Sequence, residues 1–88
     1  MYELDMKIFE ESFESEWAKE SCFLGILVDI NGVKEAIINS KENYETKLDY
    51  YKKAYNADLT HKHDSKVKIV DWTFEKNYTD IEESLLNQ

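Results

Sequence analysis

The chain has 88 residues, 19 acidic against 11 basic side chains, a formal charge of −8, and 42% hydrophobic content of which aromatics are a large part. That length supports one hydrophobic core and one domain spanning residues 1–88, and the apolar content argues against a disordered chain. Every basic residue is a lysine and proline is absent, so the composition excludes the usual basic nucleic-acid binder, a disulfide scaffold and a membrane span.

The longest apolar stretch, Cys22 to Val28, is interrupted by Gly25 and falls far short of the ~18 residues a bilayer crossing needs. Glu3 and Asp5 near the start argue against a secretory signal. A single cysteine inside the apolar stretch is expected to be a reduced, buried small hydrophobe. Together these features predict a cytoplasmic protein.

Taken in chain order, Tyr2, Leu4, Met6 and Ile8 alternate with Glu3, Asp5 and Lys7, which predicts a strand with one buried face. Phe9, Phe13 and Trp17 then recur every four residues between glutamates, as one face of a short helix does; a longer bent strand is the alternative. Residues 22–30 are nearly all apolar, the pattern of a central strand covered on both faces. Asn31-Gly32 follows, and both residues tolerate the positive φ that a two-residue hairpin turn demands. The return strand is Val33 to Ile38.

Asn39 or Ser40 can cap the next helix, with Glu42 in capping-box position after Asn39. Tyr44, Leu48, Tyr51 and Tyr55 form its buried stripe, and Leu59 extends it by a turn. Thr60 to Ser65 reads as a polar loop. Lys66 to Glu75 is rich in β-branched and aromatic residues and predicts a strand. Thr79-Asp80-Ile81-Glu82 is a capping box opening a last short helix through Leu85 and Leu86. The predicted α+β order is therefore β-α-β-β-α-β with a C-terminal helix, a ferredoxin-like or split-βαβ arrangement. The alternative is an antiparallel sheet in which the 22–38 hairpin pairs with the 66–75 strand and residues 1–20 pack peripherally.

Most catalytic chemistry is missing. Gly25 and Gly32 are the only glycines, too few for a phosphate-cradling loop. His61-Lys62-His63-Asp64 has metal-ligand chemistry, but it lies in a polar loop with a lysine between the imidazoles and no further Cys or His to close a site. A solvated loop, no metal and no cofactor are expected. The carboxylate pairs sit on helical faces interleaved with serine, where water keeps them ionised. RNA-binding domains with this element order present a Lys/Arg-Gly-aromatic signature on the third strand; Val33 to Ile38 has neither glycine nor aromatic. The expectation is a protein without enzyme activity and without direct nucleic-acid binding.

Charge is unevenly placed. Residues 1–30 hold eight acids and two lysines, net −6; residues 31–70 hold six acids and eight lysines, net +2; residues 71–88 hold five acids and one lysine, net −4. If the chain ends pack together, Glu10, Glu11, Glu14, Glu16 and Glu20 join Asp80, Glu82 and Glu83 in one acidic surface, with Trp17 and Trp72 as aromatic anchors. Such a surface suits a protein partner with a basic face. The function expected is a stoichiometric inhibitor of a basic nucleic-acid-handling protein, of the immunity or antitoxin type or a phage-type nucleic-acid mimic. A homo-oligomerising accessory domain, joined through the tyrosine-rich helix or a sheet edge, is the alternative.

Overall fold

The hairpin signal at Asn31-Gly32 is met in the computed structural model, which describes residues 4–86. Asn31 takes φ 52° and Gly32 φ 89°, and the Asp29 carboxylate accepts the Gly32 N–H at 2.7 Å. Strand β1 (Phe23–Ile30) and strand β2 (Val33–Ser40) pair antiparallel from Ile30↔Val33 to Phe23↔Ser40 without a break in register. A Cβ on Gly32 would meet nothing within 4 Å, so an alanine there pays no steric penalty beyond its own backbone. Gly32→Ala is expected to cost about 1 kcal/mol in urea unfolding, the cost of holding an L-residue in left-handed space. An unchanged midpoint would count against this turn.

Before the hairpin lie helices α1 (Met6–Ser12) and α2 (Glu16–Glu20); after it come a 3₁₀ turn at Lys41–Asn43 and helix α3 (Tyr44–Ala54). Strand β3 (Thr60–His61), strand β4 (Asp64–Glu75) and helix α4 (Tyr78–Leu86) complete the chain. The sheet is antiparallel in the order β2-β1-β4-β3. The element order is thus α-α-β-β-α-β-β-α, and the ferredoxin-like order is corrected. The hairpin does pair with the 66–75 segment, but residues 4–20 are not peripheral: Met6, Phe9 and Ala18 belong to the core.

The first strand fails for a local reason. Asp5 is an N-cap whose carboxylate accepts the Ile8 N–H at 2.9 Å, and this starts a helix that buries Met6 and Phe9 on one side. Tyr2 and Glu3 of that expected strand lie outside the described residues. The single helix expected across Phe9 to Trp17 is instead two. Ser12 Oγ donates to the Phe9 carbonyl at 2.6 Å, and Ser15 Oγ accepts the Ala18 N–H at 3.2 Å as the cap of α2. Serines that bond the backbone locally end one helix and begin the next.

Further along, α3 stops at Ala54 and Leu59 is not part of it. Leu59 sits in a turn at φ 70° with its side chain fully buried. The turn is held by Asp58, whose carboxylate accepts the N–H and hydroxyl of Thr60 at 3.1 and 2.5 Å. Those two bonds keep the Asp58 carboxyl below the usual carboxylate range. The expected polar loop at 60–65 begins as strand β3. Asn39 and Ser40 end β2; Ser40 is the N-cap position of the 3₁₀ turn that leads into α3, without a side-chain cap bond, and the N-cap position of α3 itself is Asn43. Cys22 is exposed rather than buried, because it precedes β1 instead of belonging to it.

The sheet separates two apolar layers. Leu24, Ile26 and Val28 of β1 meet Phe9, Ala18, Tyr51, Tyr55 and Trp72 on the face carrying α1, α2 and α3. Leu27 meets Ile81 and Leu85 of α4 on the other face. β1 is therefore covered on both sides, as its continuous apolar run predicts. On β4 the register shifts so that Leu27 opposes Asp71 and Val28 opposes Ile69. The extra residue, Val70, is a β-bulge. It brings Ile69 and Trp72, three positions apart, into the same core layer while Val70 packs toward α4. Burial pushes the phenols of Tyr44, Tyr51 and Tyr55 up, so they stay neutral inside this layer.

Candidate functional site

Helix α2 is short and is fixed at both ends by serine. At its C-terminal end Ser21 is buried, its Oγ 2.7 Å from the Ala18 carbonyl and 2.8 Å from the Tyr44 hydroxyl. Lys41 Nζ donates to the Lys19 carbonyl. With Ala18 turned into the core, Trp17 is left 46% exposed, its ring 5.2 Å from that of Phe74 near the end of β4.

Two residues beyond β4, α4 begins. It starts at Tyr78, one residue before the predicted cap, and Asp80 in its first turn accepts the Asn77 amide at 3.2 Å. Glu75 closes β4, and one carboxylate oxygen accepts the hydroxyls of Thr73 and Ser84 at 2.6 and 3.2 Å. Helices α2 and α4 lie on opposite faces of the sheet, yet both reach this end of β4. They leave a groove of about 260 Å³ whose lining includes Trp17, Glu20, Glu75, Lys76 and Asp80. Three carboxylates, an indole and one ammonium thus line the same groove. A groove with three carboxylates to one ammonium favours cations through charge.

The structure brings Trp17, Glu20 and Asp80 together and distributes the other predicted site residues. Glu10 on α1 pairs with Lys52 of α3 at 3.8 Å, and Glu16 with Lys19 at 3.7 Å. Glu11 and Glu14 are exposed around the α1–α2 break, in the helical layer. Glu82 and Glu83 are exposed on α4, in the layer across the sheet. The acidic ends of the chain therefore occupy two layers that meet at the groove. Trp72 is no surface anchor: it is buried with its ring 4.9 Å from Phe9. Glu75 and Lys76 line the groove without having been singled out in the sequence; the signal was Glu75 ending an apolar strand just before a helix cap.

His61 meets Tyr55 edge-on at 5.1 Å and its Nδ1 accepts the His63 N–H at 3.1 Å, which ties one imidazole nitrogen to the backbone. Among the described residues no group of three or more His, Cys, Asp or Glu is placed to hold a metal ion. Among the same residues no helix is long and apolar enough to cross a membrane. Tyr50 on α3 is exposed, with Lys47 Nζ 5.9 Å over its ring.

No protein-family model, curated protein or solved structure matches this chain.

Proposed function

We propose that this protein is a small cytoplasmic binding module, without catalytic activity of its own, that inhibits a basic nucleic-acid-handling protein stoichiometrically. It acts either as an immunity or antitoxin protein or as a phage-type nucleic-acid mimic. The observation that carries this reading is the convergence of Trp17 with Glu20, Glu75 and Asp80 on one groove. The flanking glutamates, Glu10, Glu11, Glu14 and Glu16 on one layer and Glu82 and Glu83 on the other, widen the negative field around it. Exposed carboxylates steer a basic partner at long range and add little affinity each, because water screens them. Affinity then rests on a central anchor, the role given to Trp17.

The test is capture from the native host at low salt, with the partner identified and then assayed at a one-to-one ratio with this protein. A basic nuclease or other nucleic-acid enzyme is expected, released by high salt and inhibited when bound. Trp17→Ala with Glu20→Gln should abolish capture while leaving the circular dichroism spectrum unchanged. Recovery of the bait alone at low salt, or capture indifferent to the double substitution, would sink the reading. Competing DNA separates the two versions: it displaces a mimic and leaves an immunity complex intact.

A further inference from the structure

The two edges of the sheet are unlike. On one side the two residues of β3 pair, with a shifted register, only with the Asp64–Lys68 end of β4, so that edge is short and irregular. The other side is β2, eight residues long and in unbroken register with β1. The Lys41 N–H donates to the Cys22 carbonyl at 2.9 Å, which sets the parity of the ladder: Val33, Glu35, Ile37 and Asn39 bond inward to β1. Lys34, Ala36, Ile38 and Ser40 therefore aim their N–H and C=O groups away from the sheet. Neither a bulge nor a proline blunts this edge; of the usual devices against edge pairing it carries only charge, Lys34 and Glu35. Each face mixes apolar and polar side chains: Val33 and Ile37 share one with Glu35 and Asn39, and Ala36 and Ile38 share the other with Lys34 and Ser40. Val33 and Ile37 are 63% and 39% exposed on one, and on the other Ala36 and Ile38 line an open groove of about 500 Å³ with Phe23 and Tyr78.

We propose that a second copy of this chain pairs with the free edge of β2, antiparallel and centred on Ile37, so that two four-stranded sheets become one continuous sheet. The register follows from symmetry. A two-fold axis perpendicular to the sheet sets residues of like parity opposite one another, on the same face. Centring on Lys34 or Glu35 opposes each of those charges to itself. Centring on Ala36 sets Glu35 against Ile37 and Lys34 against Ile38. Centring on Ile38 runs the pairing into the 3₁₀ turn at Lys41–Asn43. Centring on Ile37 sets Ile37 on itself, Ala36 on Ile38, Glu35 on Asn39 and Lys34 on Ser40, with about eight main-chain hydrogen bonds across the seam. No like charges meet in this register, and the strand has one lysine and one glutamate. The chain's −8 charge comes from segments outside β2, so mutual repulsion acts at a distance and salt screens it. Self-pairing therefore tightens as salt rises, whereas capture of a basic partner weakens, and the two readings stand or fall separately.

The experiment is sedimentation equilibrium of the full chain at low and high salt. Twice the 10.5 kDa chain mass is expected, with the dimer favoured at high salt. Ile37→Lys places two ammonium groups face to face on the axis, and Ala36→Pro removes an N–H that β1 does not use; each is expected to yield monomer with an unchanged circular dichroism spectrum. In a Cys22→Ser background, Ile37→Cys should oxidise to a covalent dimer, because a non-hydrogen-bonded pair has its Cα atoms about 4.5 Å apart, within disulfide reach. Glu35→Cys in the same background should not. A wild-type chain that stays monomeric at both salts, including one that binds an added strand-forming peptide, overturns the proposal, as does a dimer that survives both edge substitutions.

Discussion

Phe9→Ala is expected to destabilise the protein by about 3–5 kcal/mol, the usual cost of emptying a phenylalanine site in a packed core. Phe9 is fully buried and its ring meets Phe13, Tyr51 and Trp72 edge-on at 5.1, 5.7 and 4.9 Å. These contacts join α1 to α3 and to β4 at one point. Helix α1 has seven residues, too few to be helical unless its apolar side is packed. Removing the ring therefore leaves a cavity and also loosens the element that carried it. Against a total stability of about 5–15 kcal/mol for a domain, the substitution takes a large share. With Trp17 replaced by phenylalanine, Trp72 fluorescence during urea unfolding reports on the same contact. A loss below about 1 kcal/mol would mean that the aromatic cluster collapses around the gap, contrary to this account. Phe9→Leu, which keeps most of the volume but loses the edge-on ring contacts, should cost less than Phe9→Ala.

How much of this was legible in the sequence depended on how local each determinant is. The Asn31-Gly32 turn is specified by two residues, and the run covered on both faces by its own composition, so both could be read directly. The stripe through Tyr44, Leu48 and Tyr51 was long enough to declare its period. The N-terminal segment was not: Leu4, Met6 and Ile8 satisfy a period of two, while Met6 and Phe9 satisfy a helix, and only the Asp5 cap decides between them. The bulge at Val70 depends on the register with β1 and left no local mark. Leu59 looked like the next residue of a stripe, but its burial is reached from a left-handed turn. The candidate site shows the same division. Segment charges pointed to acidic ends, but the meeting of Trp17, Glu20 and Asp80 requires α2 and α4 to reach the same end of β4 from opposite faces, a long-range fact.

The second large effect is expected at Gly25, where the shape of one residue sets the position of a helix. Gly25 lies on the β1 face that α4 covers. A Cβ there would fall well inside van der Waals distance of Ile81 Cγ2 and 3.0 Å from Leu85 Cδ1. Ile81 is fully buried and Leu85 nearly so, and a β-branched residue in a helix has one strongly preferred rotamer. The obstructing methyl therefore cannot swing aside, and α4 must lift. Gly25→Ala is expected to cost about 1–3 kcal/mol by overpacking, which outweighs the roughly 0.5–1 kcal/mol that alanine gains over glycine in a strand. A double-mutant cycle isolates the cause. Ile81→Ala removes the obstruction, so Gly25→Ala should cost less in that background, with a coupling of about 0.5–3 kcal/mol between contacting sites. Additive costs, or a stabilised Gly25→Ala variant, would show that α4 is not seated by this contact. The consequence extends to the groove, because Asp80 sits in the first turn of α4 and Ser84, one turn on, bonds Glu75. Lifting α4 moves Asp80 away from Trp17 and Glu20, so Gly25→Ala should weaken capture of a basic partner although it alters no charge and no exposed side chain.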